Sequence, residues 1–371
     1  MERELTGVGE YAFNLLKSVF EQDCENQYFL FYNSRQEISF AGTKFDYPNV
    51  HYCDFHYPNK LLNSSLILFN RPRLDLLIEK KIKQKVDLFF FPNLAFFSVK
   101  CPYLITCHDL SFQLFPEFLS WQRRIWHYLV RPAQKFSAAQ KVIAVSQNTQ
   151  NDLTSNYQLP ITNVGFFYSG IDEIYRPIDK GDINLQKIKI KYALPDQFIL
   201  FLSTVEPRKN LETLVDAFES LEDENNNFHL VIAGKVGWKS EKILKRIEQN
   251  KKIKLLNFVE MEDKPYLYNL AKMLVFPSHY EGFGFPPLEA MACGVPVICA
   301  NNSSLSEVCG SAAILIDSHN AADLKEAIVA LNDAQTADYF REKGLSQVKQ
   351  FSWQKAGREF LMIMNLTKRL T

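Results

Sequence analysis

Seventeen residues, SHYEGFGFPPLEAMACG at positions 278–294, lie between two apolar runs, Met273–Phe276 and Val295–Cys299. Each run is short and apolar enough for a strand buried on both faces. Between them a glycine-rich turn opens a short helix. Pro287 suits a first helical turn, where an amide hydrogen would have no partner, and Gly294 suits a helix stop. Strand, tight turn, helix, strand is the repeating unit of a parallel sheet. A helix starting at the carboxyl end of such a strand presents free N–H groups and a positive dipole end, and phosphate is its natural guest. Glu281 and Glu289 flank this anion site, eight positions apart. Phosphate repels carboxylates, so these two address hydroxyl groups. A ligand with phosphate and many hydroxyls is a sugar nucleotide.

The rest of the chain has the same rhythm of short strands and helices, an α/β pattern with parallel sheets covered on both faces. At 371 residues it is comfortable for two domains. Strands are expected near Tyr28–Phe31, Ser65–Phe69, Val86–Phe91, Tyr103–Cys107, Lys141–Val145 and Val164–Phe167. A second series follows near Phe198–Ser203, His229–Ala233, Ile253–Phe258, Met273–Phe276, Val297–Cys299 and Ala313–Ile316. The helices that matter below are expected near Val8–Phe20, Pro116–Ser137 and Leu288–Cys293, with a last one from Ser352 to Leu370. Residues 169–195, with Gly170, Pro177, Gly181 and many charges, read as a linker between a first domain (1–168) and a second (196–351).

Lysines plus arginines equal aspartates plus glutamates, at 42 each, and hydrophobic residues make up 47%. This balance fits a globular enzyme and excludes a nucleic-acid-coating or disordered chain. Seven cysteines without Cys-x-x-Cys spacing, and histidines without a His-Glu-x-x-His pattern, argue against a metal site or disulfide scaffold and for a reducing, cytoplasmic compartment. No secretory signal is read in residues 1–20, and no apolar run approaches the roughly 20 residues that span a bilayer.

The glutamate pair within EGFGFPPLEAMACG resembles the signature of retaining glycosyltransferases of family 4. Their fold, GT-B, has two Rossmann-like domains with parallel sheets facing across a cleft, and a last helix (here 352–371) returning to the first domain. The chain departs from the family at its start. The turn Thr6-Gly7-Val8-Gly9 comes almost at Met1, and Met1–Thr6 is too polar for the buried strand that usually precedes it. A loosely formed first domain is therefore expected.

The resemblance implies roles residue by residue. Lys209 and Arg208 follow a strand and would clamp the donor diphosphate, with Thr204 in the same loop. Glu281 would stand near the transferred sugar, and Glu289 would hold the ribose hydroxyls. Gly284, Phe285 and Leu288 would line the phosphate turn. Val259 would border the base, and Lys235 would reach the donor. His108, at the end of an apolar strand, resembles the family histidine near sugar and acceptor, and Gly7 and Gly9 would approach the ligands from the first domain. No Asp-x-Asp occurs, so no metal and no other cofactor is expected.

The reading is a retaining hexosyltransferase in polysaccharide biosynthesis. It takes a nucleotide diphosphate sugar, with GDP-mannose favoured, to a glycan or lipid-linked acceptor. The aromatic and arginine-rich helix from Ser120 suits peripheral association with an anionic membrane surface. A non-catalytic sugar-nucleotide-binding component of a glycan assembly complex and a GT-B epimerase are the rival readings.

Overall fold

A computed structural model describes residues 7–34, 44–222 and 228–368. Met1–Thr6, on which the expectation of a missing first strand rests, lies outside the described residues. The chain divides into two compact units. One comprises Met1–Leu110, Trp121–Gly170 and Trp353–Thr371, and the other Ser111–Ser120 and Ile171–Ser352.

Among the described residues, the first unit has two parallel sheets. Strands β1 (Tyr28–Asn33) and β2 (Val50–Phe55) pair with each other, while β3 (Phe89–Phe91), β4 (Tyr103–Cys107), β5 (Lys141–Ala144) and β6 (Val164–Phe166) lie in that order. Every residue of β4 is buried, as its unbroken apolar run requires. Helix Gly7–Gln22 lies against the C-terminal helix Trp353–Lys368. Ser18 Oγ donates to Trp353 O at 2.6 Å, and a Cβ on Gly357 would stand 2.5 Å from that hydroxyl, so only glycine lets the helices approach this closely.

Three expectations need correction here. Gly7 and Gly9 belong to the first turn of helix Gly7–Gln22, not to a loop preceding it. Ser65–Phe69 is the end of helix Asn59–Phe69; its apolar run imitates a strand, but the strand in this region is β2, disguised by the polar residues His51 and Asp54. The long helix expected over Pro116–Ser137 is broken at Arg131, whose φ of 57° precedes Pro132 and separates Trp121–Val130 from Pro132–Ala138.

The second unit contains one six-stranded parallel sheet among the described residues. Its strands are β7 (Phe198–Leu202), β8 (His229–Ala233), β9 (Ile253–Leu256), β10 (Met273–Phe276), β11 (Val297–Ala300) and β12 (Ile314–Ile316). They run in the order β12-β11-β10-β7-β8-β9. The chain builds outward from β7 to β9, then returns to the other side of β7 with β10. That reversal opens a crevice at the carboxyl ends of β7 and β10, the place where such sheets bind ligands.

The expected linker 169–195 carries helix Ile183–Lys191, capped by Asp182 and packed into this unit through Leu185 and Ile188. Tyr192 Oη and Lys191 Nζ both donate to Asp263, at 2.6 and 2.5 Å. The segment Ser111–Ser120, expected in the first domain, also belongs to the second unit. Among the described residues no helix is long and apolar enough to cross a membrane.

Candidate active site

The crevice between β7 and β10 holds a buried cluster of four charges. Beyond β7, residues Pro207–Lys209 form a single tight turn. Arg208 reaches across to the loop after β10: Nη1 donates to Tyr280 O at 2.8 Å and to Glu281 Oε2 at 2.9 Å, while Nη2 donates to Glu206 Oε1 at 2.9 Å. Lys209 Nζ donates to Glu281 Oε1 at 2.5 Å. Both oxygens of Glu281 are thus held by cations. Burial opposes its ionisation, but Arg208 and Lys209 win and hold its pKa at about 2. Burial and the neighbouring Arg208 pull the Lys209 pKa down, with Glu281 pulling the other way. The short contacts support an ion pair, with Glu281 the anion between two cations.

The loops carrying these groups are fixed by their backbones. Asn210, with φ of 57°, donates from Nδ2 to Pro277 O at 3.0 Å and to Ser318 O at 2.6 Å, tying three loops together. Gly284 precedes helix Phe285–Ala292 with φ of 114°, and a Cβ there would press on Leu305. Gly234 follows β8 with φ of 144°. A Cβ there would sit 1.9 Å from Ser203 O, so no other residue lets the two loops cross. The loops after β7 and β8 then join through Val205 N to Lys235 O and Gly237 N to Val205 O, both 2.9 Å.

Family models match nearly the whole described chain in two parts. "Glycosyltransferase Family 4" matches residues 5–174, and "Glycosyl transferases group 1" matches residues 182–347. The chain belongs to glycosyltransferase family 4. The O-antigen chain mannosyltransferase B of Escherichia coli is 32% identical over 255 residues, 67% of this chain and 66% of that protein. The serotype-specific mannosyltransferase WbdA of Escherichia coli is 33% identical over 271 residues, 71% of this chain but 33% of that protein. The matches thus span less than two thirds of these relatives' own lengths. The sucrose-phosphate synthase of Thermosynechococcus elongatus superposes with a TM-score of 0.75 at 18% identity, covering 99% of this chain and 94% of that one. The fold is GT-B.

In this family 4 protein the structure brings Arg208, Lys209 and Glu281 into one cluster, with Thr204 in the loop that leaves β7. Glu289 stands apart from them on helix Phe285–Ala292. It is only 3% exposed and accepts a hydrogen bond from Tyr268 Oη at 2.6 Å. Leu288 beside it is fully buried. Gly284 and Phe285 open that helix. Val259 is buried just beyond β9, and Lys235 is exposed with its ammonium 4.8 Å from the centre of the Phe258 ring.

His108 belongs to the first unit, at the end of β4. Its Nε2 lies 2.8 Å from Pro92 O and donates to it, and its ring meets Tyr11 edge-on at 4.8 Å. Burial lowers its pKa, so the imidazole is neutral with Nδ1 left as the acceptor.

Several contributors escaped the sequence reading. Glu206, in the same segment as Arg208, balances the cluster's charge. Tyr268 holds Glu289. Rings stack in a column from Phe115 to Phe118 (5.7 Å), His279 (5.4 Å) and His319 (4.8 Å), next to the loop that carries Glu281. Trp238 Nε1 and Lys239 Nζ anchor the base of this column on Phe118 O and Glu117 O, at 2.5 and 2.6 Å. Nothing local in the sequence marks Tyr268 or Phe118 for these roles.

Proposed function

We propose that this protein transfers a hexose, with retention of anomeric configuration, from a nucleotide diphosphate sugar to a glycan or lipid-linked acceptor in O-antigen-like polysaccharide synthesis, with GDP-mannose as donor. The observation that carries the reading is the Glu206–Arg208–Lys209–Glu281 cluster at the crevice between β7 and β10. Its four charges cancel, so it holds two cations ready without a net positive charge to repel or attract in advance. A donor diphosphate entering here takes over Arg208 and Lys209 from Glu281. The freed carboxylate then accepts hydroxyl hydrogens of the sugar.

As the glycosidic bond breaks, negative charge grows on the leaving phosphate beside Arg208 and Lys209, in a site largely closed to water. Fixed cations aimed at developing charge lower a barrier without solvent rearrangement. The incoming hydroxyl attacks from the same face, and its proton passes to the leaving phosphate. Glu289, held by Tyr268, accepts from the ribose. The two E. coli mannosyltransferases favour mannose as the sugar, and the arginine–lysine pair supplies the charge that a metal ion supplies elsewhere.

Turnover of GDP-mannose with an oligomannose acceptor, read by proton NMR of the new anomeric centre, tests this reading. The expected result is an α-linked product formed equally with and without chelator. A β-linked product, strict metal dependence, or donor binding without turnover would overturn it. Lys209→Ala is expected to lower kcat by the equivalent of about 2.7–4 kcal/mol, more than Glu289→Gln, because only the lysine acts on charge that appears in the transition state.

A further inference from the structure

Two helices of the first unit leave their apolar residues in water. Helix Trp121–Val130 buries only Val130, although it also carries Trp121, Ile125, Tyr128 and Leu129, all exposed; Tyr128 reaches 81%. Helix Asn59–Phe69 buries only Leu66 and exposes Leu61, Leu68 and Phe69, the last two at 71%. Neither fits the usual globular pattern, in which a helix turns its apolar side inward.

The charge along the chain at these helices is one-sided. No acidic residue occurs from Phe55 to Leu74 or from Phe118 to Asn151, in a chain whose acids and bases are equal in number. The two stretches carry Lys60, Arg71, Arg73, Arg123, Arg124, Arg131, Lys135 and Lys141, of which Arg73 pairs with Asp75. They meet around a cavity of about 170 Å³, with Leu66, Phe96 and Leu129 on its apolar wall and Arg131, Gln134 and Lys135 on its polar one. Lys135 Nζ lies 3.6 Å from the centre of the Phe97 ring and donates to Phe97 O at 3.1 Å. Burial alone draws its pKa down to about 8, and no carboxylate among the described residues offsets that cost. An ammonium with donors to spare, at the wall of an apolar cavity, matches an anion that carries an apolar tail.

We propose that this face seats the protein on a bilayer containing acidic phospholipid, with Leu68, Phe69, Trp121 and Tyr128 entering the interface and one lipid phosphate entering the cavity at Arg131 and Lys135. Aromatic and aliphatic side chains among cations, with no acids between them, are the composition that binds such a surface. The proposal agrees with a lipid-linked acceptor in the reading above but is carried by different residues in a different unit.

Co-sedimentation of the full chain with vesicles tests it, using phosphatidylcholine alone and phosphatidylcholine mixed with phosphatidylglycerol. Wild type should partition about tenfold or more in favour of the acidic vesicles, and the preference should fall as salt rises. Phe69→Ser with Tyr128→Ser should reduce binding to acidic vesicles several-fold at an unchanged melting temperature, because both side chains are exposed. Lys135→Gln should weaken the acidic preference more than Lys60→Gln does. Equal binding to both vesicle types, binding to neither, or wild-type binding by the serine variant would overturn the proposal. Calorimetric titration of nucleotides on the same samples reads the donor site separately, so either proposal can fail alone.

Discussion

Lys209 Nζ stands 2.5 Å from Glu281 Oε1, and each residue is only 8% exposed. Removing one partner strands the other in a poor solvent. Glu281→Gln alone is expected to cost about 3–5 kcal/mol, because it leaves a buried ammonium beside Arg208. Adding Lys209→Met should recover part of that loss, giving a coupling of about 0.5–3 kcal/mol in a double-mutant cycle. Urea unfolding at neutral pH measures it. Additive losses would show that the pair is not an interacting unit.

Two acid-sensitive windows follow from the site. Glu281 has a folded pKa of about 2, below the ordinary glutamate value of about 4.3. Its contribution is therefore complete above that ordinary value and is lost as pH falls towards 2. His279 has its pKa pushed down to about 4 by burial and by the neighbouring His319, and its buried Nδ1 has no hydrogen-bond partner among the described residues. The neutral ring is the folded form, so its contribution is full above about 6.5 and is lost as pH falls from there to about 4. Melting temperature against pH should show the upper window in wild type and a shallower one in His279→Phe, which keeps a ring between Phe118 and His319 while the buried His108 still titrates. An unchanged profile in that variant would place the titration elsewhere.

Tyr268→Phe removes the hydroxyl that donates to Glu289 Oε2 but keeps the buried ring. If Glu289 serves the ribose in ground and transition states alike, KM for the donor should rise about tenfold with kcat little changed. Steady-state kinetics over donor concentration separate the two. A fall in kcat at constant KM would mean that the carboxylate acts on the reaction itself.

The second unit was legible because strands buried on both faces read as continuous apolar runs. Phe198–Ser203 was expected where β7 spans Phe198–Leu202, and every residue of that strand is buried. The first unit was harder. Its strand β2 is half exposed, and His51 and Asp54 break its alternation, while the run Ser65–Phe69 looks like a strand but ends a helix whose apolar residues face outward. Arg208, Lys209 and Glu281 could be named from their local segments. That Arg208 and Lys209 both grip Glu281 could not, since the contacts span more than seventy positions and depend on β10 returning beside β7. Tyr268 and Phe118 act through distant partners and leave no local pattern.

The central claim is that Arg208 and Lys209 form the diphosphate site of a sugar-nucleotide donor. Calorimetric titration of wild type and Lys209→Ala with nucleoside diphosphates and monophosphates, of guanine and of uracil, tests it most directly. Wild type should bind one diphosphate clearly more tightly than its monophosphate, and Lys209→Ala should erase most of that difference while leaving monophosphate affinity intact. Equal affinity of wild type for di- and monophosphates, or an undiminished difference in the variant, would contradict the account.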